Sequence, residues 1–298
     1  MIYYLVSRRH AYSLNDLLAT WGKALAGRIG MVLYEDLFSG ATVRLPPATY
    51  IFTSLGSGMG SRRPLSPVRK LASDLHRHLV QVCGPERVLN DPAHFLSRVE
   101  LLEALHERGI NRFEARRVNG GAGPGCYPVF LRADGGSVRQ APPLLRNRDE
   151  YDAAVRGAAG TEELIAVEFR DTADPSGLYR KYASFVVGGR IIPRHLFFSR
   201  SWLVKHADVC EPGMVEEELR FMASNAHEAL LGEVCRIANI SYGRVDYALL
   251  DGQPQIWEIN STPALVTLPA ADHAARAPVN ERFVRLFAEA LDAIDPPA

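Results

Sequence analysis

Cysteine is scarce in this chain. Four of 298 residues are Cys (Cys83, Cys126, Cys210 and Cys235), they stand far apart, and no C-x-x-C spacing occurs. That excludes a disulfide framework and a cysteine zinc site, and makes a reduced cytoplasmic setting the expectation. Long hydrophobic runs are missing too. No stretch reaches the ~18 apolar residues of a membrane span, and the opening MIYYLVSRRH has too short an apolar run for a signal peptide. Excess charge of either sign is absent, with 34 Lys and Arg against 34 Asp and Glu. Without a net field, nothing recruits nucleic acid or an anionic membrane. H-E-x-x-H, G-x-S-x-G and Walker lysine motifs are all absent, which removes the residues those chemistries need. His76 and His78 stand two apart on a predicted helix and face different ways. Cys126 has no recognisable base near it in sequence. There are no internal repeats and no low-complexity tracts.

What is present suits a soluble globular protein: 47% hydrophobic and 23% charged residues, in a chain long enough to bury a substantial core. The N-terminal third alternates strands and helices. Ile2 to Ser7 reads as a strand, Leu14 to Ala26 as a helix, Thr49 to Ser54 as a strand, Pro67 to Val82 as a helix and Arg87 to Asn90 as a third short strand. That order predicts a small parallel α/β domain. Gly56-Ser57-Gly58-Met59-Gly60 invites a dinucleotide-binding reading. Arg62, Arg63, Pro64 and Pro67 separate those glycines from the helix, so a loop near a substrate entrance is the expectation. An amphipathic helix over about Asn280 to Ile294, stopped by Pro296-Pro297, closes the chain.

The stretch Gly243 to Ala264, GRVDYALLDGQPQIWEINSTPA, carries the most information. It reads as two strands joined at Asp251-Gly252. Alternation places Arg244 and Asp246 on one face, and Glu258 and Asn260 on one face. A three- or five-residue loop sets Asp246 opposite Glu258 and Arg244 opposite Asn260, whereas a two-residue turn slips the register and separates the carboxylates. Pro254, which lacks a ladder donor, favours the longer loop. Two carboxylates and an amide oxygen facing one space form a hard, oxygen-only site suited to Mg²⁺. The plainer reading is a hairpin with its polar face in water.

R-x-D, a short turn, then E-x-N followed by Pro263 resembles the metal-binding end of the ATP-grasp superfamily, to which D-alanine–D-alanine ligases and ribosomal-protein glutamate ligases belong. Further pieces follow in matching order over roughly Val88 to Leu265. Tyr127 to Arg132 is an apolar strand ending in a cation, followed by Asp134-Gly135-Gly136-Ser137. The resemblance implies that Arg132 stands where the family has a phosphate-reaching Lys, and that Gly135, Gly136 and Ser137 belong to the flap over the phosphates. Glu163 to Phe169 resembles the strand whose end, Glu168-Phe169, meets adenine; alone it is equally an ordinary core strand. Arg180-Lys181 precedes a Gly188-Gly189 hairpin, and Lys181 or Arg180 would meet phosphate or carboxylate. Arg98, at the head of a helix, stands where many members have a second nucleotide-contacting Lys. Lys205 or Arg200 would serve the γ-phosphate from a loop, with Phe197 and Trp202 equally readable as core. Ser261-Thr262-Pro263-Ala264 lacks the glycine of the dipeptide ligases, so their specificity does not carry over.

The resemblance implies an α/β chain with α+β lobes in an ATP-grasp fold: an N-terminal domain over 1–95, a central lobe over 96–172 and a C-terminal lobe over 173–298. It implies ATP and Mg²⁺, the metal on Asp246, Glu258 and Asn260, and a carboxylate–amine ligase in which Arg244 stabilises an oxyanion. A kinase that stops at phosphoryl transfer, and a nucleotide-binding protein without turnover, stay open. Expected partners are small-molecule or peptide carboxylates and amines; a homodimer is left open.

Overall fold

The structure, a computed structural model, describes residues 1–39, 43–55, 66–118, 123–135, 140–158, 163–266 and 273–295. The chain begins with β1 (Ile2–Val6), α1 (Tyr12–Ala19), β2 (Ile29–Leu33), α2 (Tyr34–Phe38), β3 (Thr49–Phe52), α3 (Pro67–Cys83) and β4 (Val88–Leu89). These strands form one parallel sheet in the order β2-β1-β3-β4. The parallel sheet is as expected, with three differences, of which the short helix α2, absent from the expected elements, is one. The helix over Leu14 to Ala26 starts earlier, at Tyr12, and ends at Ala19, where the Gly22 N–H folds back onto Leu17 O at 2.8 Å. A short 3-10 turn over Lys23–Leu25 replaces its second half. The edge strand β2 has no counterpart in the sequence reading, because IGMVL carries a glycine and only partial alternation.

The middle of the chain supplies α4 (Arg98–Glu107), β5 (Ala115–Arg117), β6 (Val129–Ala133), α5 (Arg148–Gly157) and β7 (Leu164–Glu168). Its sheet is antiparallel, ordered β5-β7-β6. Ser97 begins α4 with a capping box: its hydroxyl accepts from Glu100 N–H while the Glu100 carboxylate accepts from Ser97 N–H.

The last part contains β8 (Tyr179–Val187), β9 (Arg190–Ser199), α6 (Pro212–Ser224), α7 (Glu228–Ile237), β10 (Tyr242–Leu250), β11 (Gln253–Asn260) and α8 (Ala277–Ile294). Its sheet is antiparallel, ordered β11-β10-β8-β9. Gly188 and Gly189, at φ 59° and 87°, form the β8–β9 turn, a backbone that residues with a Cβ rarely adopt.

The first and last sheets share one hydrophobic core, in which Tyr4 meets Tyr242 edge-on at 5.3 Å. Asn90, left-handed at φ 64°, links them: its amide donates to Phe52 O and Tyr242 O and accepts from Ser241 and Tyr242 N–H. The central sheet has cores of its own, one of which Trp202 and Trp257 cover. No helix among the described residues is long and apolar enough to cross a membrane.

Candidate active site

The β10–β11 hairpin pairs Arg244 with Asn260 and Asp246 with Glu258, so all four side chains share one face. The route to that register differs from the expectation. The loop is a two-residue turn, Asp251-Gly252, with both residues at positive φ (51° and 77°), closed by the Leu250–Gln253 pair. Left alone, that turn would oppose Asp246 to Trp257. A bulge between Asp246 and Tyr247 absorbs Trp257 as an extra residue and restores Glu258 to the face of Asp246. Trp257 stacks on Phe113 of the central lobe, centroids 4.7 Å apart. Pro254 is accommodated because β11 is the edge strand.

Each carboxylate is gripped by cations. Arg244 holds both oxygens of Asp246, at 2.6 Å from Nε and 2.8 Å from Nη2, and Lys181 Nζ stands 3.8 Å away. Arg98 and Arg132 both reach Glu258 Oε2, at 2.7 and 3.2 Å, while Asn260 donates to Oε1 at 3.1 Å. Burial pushes the Glu258 carboxyl up, but Arg98, Arg132 and the Asn260 amide together outweigh it and hold the group well below the usual carboxylate range. Burial lowers Lys181, Lys205 and Arg132, with partial compensation from Asp246 for the first and Glu258 for the others.

Five of the charged groups line one cleft. Arg132, Lys181, Lys205, Asp246 and Glu258 line it together with an apolar wall of Leu102, Phe130, Val167, Phe169, Trp202 and Trp257. Trp202 packs on Phe130 at 5.0 Å and edge-on to Phe169 at 5.5 Å. The sequence reading left Trp202 between core and loop and took Trp257 only as strand character. Both belong to the wall, and the sole signal in the sequence was their proximity to the charged positions.

Other expected site residues fall as follows. Arg98, at the first position of α4, is anchored on Ala133 O and Asp134 O as well as on Glu258. Asp134 in turn accepts the Val99 N–H at 2.8 Å, which fixes the start of the loop leading to Gly135. Gly136, Ser137 and the Gly56–Gly60 cluster lie outside the described residues. Phe169 lines the cleft, but its N–H donates to Pro128 O, and that of Glu168 to Glu114 O. The Glu168 carboxylate is taken up by the Glu114 N–H and by Arg170, which itself lines the cleft. Arg180 borders the cleft, paired with Asp174 and Glu217. Arg200 points elsewhere, onto Ser176 O. Phe197 is core, stacked on His195 at 3.7 Å. Ser261 and Thr262 tie the end of β11 to the segment after β3 by accepting Leu55 and Ser54 N–H.

No group of three His, Cys, Asp or Glu side chains gathers among the described residues. The side chains that could serve a cation here are Asp246, Glu258 and the Asn260 amide oxygen, oxygen donors of the hard kind that Mg²⁺ takes alongside phosphate oxygens.

The fold recurs in solved structures. The D-alanine–D-alanine ligase of Bacillus anthracis superposes with a TM-score of 0.53 over 99% of this chain and 98% of its own, at 12% identity. The chain has the ATP-grasp fold. The D-cycloserine synthetase DcsG matches at 0.54, with 17% identity over 98% of this chain and all of its own. The macrocyclase MdnC from Microcystis aeruginosa, bound with the precursor peptide MdnA, matches at 0.54 and 12% identity over 97% of this chain and all of its own. No family model matches the sequence, and no curated protein does.

Proposed function

We propose that this ATP-grasp chain is an ATP-dependent carboxylate–amine ligase, with Asp246, Glu258 and Asn260 as its Mg²⁺ ligands. The observation that carries the reading is the opposed Asp246–Glu258 pair, accompanied by Arg98, Arg132, Lys181, Lys205 and Arg244, at a cleft lined by aromatic as well as charged side chains. That combination suits a nucleotide: base against Phe130, Phe169 and Trp202, phosphates among the cations. Ligases and a peptide macrocyclase with the same fold support the reaction class.

Mg²⁺ bound to the nucleotide would supply charge neutralisation for transfer of the γ-phosphoryl group to a substrate carboxylate, which leaves ADP, and the amine then displaces phosphate from the acyl carbon. Arg98 and Arg132 exchange Glu258 for phosphate oxygens, and Lys181 and Lys205 draw negative charge from the other side. Walls of Trp202 and Trp257 keep water from an acyl phosphate. Arg244, fixed by Asp246, faces the carbonyl oxygen as the amine attacks and stabilises the developing oxyanion. The substrates are small-molecule or peptide carboxylates and amines. Nucleotide binding without turnover is the second reading; it draws on Arg98 and Arg132 both sitting on Glu258.

Melting curves with Mg-AMPPNP, AMPPNP alone and no ligand test the site. A Mg-dependent rise, weakened by Glu258→Gln and by Trp202→Ala, is expected; no rise in folded wild type rejects it. Release of ADP on adding carboxylate and amine pairs separates the ligase from the silent binder, and ADP release without amine dependence identifies a kinase.

A further inference from the structure

The order β2-β1-β3-β4 puts a switch point between β1 and β3, because the chain leaves β1 for β2 on one side and returns to β3 on the other. In open parallel sheets, ligands settle outside the carboxyl ends of two such strands, where the connections diverge and leave a crevice. Ser7 follows β1 there, and Thr53 and Ser54 follow β3. A small cavity opens beside them, lined in part by Val6, His10, Ser13, Thr53, Thr262 and Pro263. His10 Nδ1 lies 2.9 Å from Ser7 Oγ and 3.2 Å from Ser54 Oγ. Ser54 is held left-handed at φ 57°, a strained backbone for a residue with a Cβ. No carboxylate is among the described residues that line the cavity. Burial, with Arg9 beside it, lowers the His10 pKa against a smaller opposing pull from Glu35 of α2, so the imidazole is neutral at neutral pH.

The crevice adjoins Arg244. Thr262 accepts the Ser54 N–H at 2.6 Å, Ser13 donates its hydroxyl to Pro263 O, and Arg244 Nη1 donates to Ala264 O at 3.3 Å. Three consecutive residues thus touch the crevice and Arg244 in turn, over about 7 Å of chain.

We propose that this crevice receives the amino group of a primary-amine substrate, and that His10 Nε2 takes the proton which the ammonium form must lose. The inference rests on the ligase reading. His10 Nδ1–H is shared between the Ser7 and Ser54 oxygens, which leaves Nε2 with the lone pair. Once Nε2 holds the proton, the amine nitrogen bonds to the acyl carbon. The carbon–oxygen bond to phosphate then breaks, and phosphate leaves with the second nitrogen proton. A carboxylate in the crevice would instead stabilise the ammonium and oppose that transfer.

Methylamine and hydroxylamine, nearly equal in size, test this with Mg-ATP and the common amino acids as carboxylates, read as ADP release. Near neutral pH the first is an ammonium ion and the second is already unprotonated. Wild type should use both. His10→Gln should lose methylamine-dependent turnover at least about a hundredfold and keep hydroxamate formation, which shows that the variant folds and still makes acyl phosphate. Ring nitrogen shifts of His10, assigned with the same variant, should show Nδ1 protonated and Nε2 bare near neutral pH. Loss of both nucleophiles alike, retention of both, a wild type that uses hydroxylamine alone, or a proton on Nε2 would overturn the assignment. A wild type that forms no hydroxamate with any of these carboxylates rejects the ligase reading itself, and this inference with it.

Discussion

Arg98 and Glu258, 160 residues apart in sequence, are joined at 2.7 Å from Nη2 to Oε2. Arg132 reaches the same oxygen at 3.2 Å. The Glu258 carboxylate is thus neutralised by two of the chain's own cations, and under the proposed function a nucleotide that takes the two arginines would release it for metal.

Acid should erode this corner. The Glu258 carboxyl sits below its usual value, so the folded state binds its proton more weakly than the unfolded chain does. Its contribution is full above the unfolded pKa of about 4.3 and declines as pH falls beneath it. Urea midpoints between about pH 3 and pH 6 should drop toward acid in wild type and change less steeply in Glu258→Gln. Equal slopes in the two proteins would contradict the assignment.

Lys181 is buried with its charge only partly compensated by Asp246. Burial lowers its pKa despite Asp246 nearby, and Arg244 already satisfies that carboxylate. The folded state therefore holds the Lys181 proton less tightly than the unfolded chain. Lys181→Met should leave ligand-free stability unchanged or raise it by up to about 1 kcal/mol. The same variant should weaken Mg-AMPPNP at least about tenfold. Calorimetric titration beside ligand-free melting separates the two effects.

Gly243 admits the neighbouring strand. A Cβ there would lie 2.8 Å from Asn260 O and 2.9 Å from Ile240 Cδ1. Gly243→Ala should cost about 1–3 kcal/mol by overpacking and, by displacing Asn260, also weaken Mg-AMPPNP binding. Gly157→Ala, whose Cβ meets nothing within 4 Å, serves as the control and should affect neither.

Asn90 joins two sheets through four hydrogen bonds while its backbone is left-handed. Asn90→Ala strands buried polar groups and adds backbone strain, and should cost about 3 kcal/mol or more. Asn90→Gly removes only the strain and should recover about 1 kcal/mol of that loss. Chemical denaturation of the three proteins checks both numbers.

Much of the site was legible in sequence because strand alternation is local: Arg244 with Asp246, and Glu258 with Asn260, follow from a period of two. Whether the two pairs faced each other was not local. The turn is the tight one that should have separated them, and a bulge at Trp257, stacked on Phe113, brings them back. Likewise, a cation at the head of α4 and another at the end of β6 could be read as candidates. Their convergence on one oxygen of Glu258 depends on three segments meeting. By itself the sequence determined the strands and helices with clear periodicity, the charged positions and the absence of rival chemistries, since each rests on near neighbours. The tertiary structure alone decided the edge strand β2, the aromatic wall and the register of the hairpin, because those depend on contacts between residues far apart in the chain.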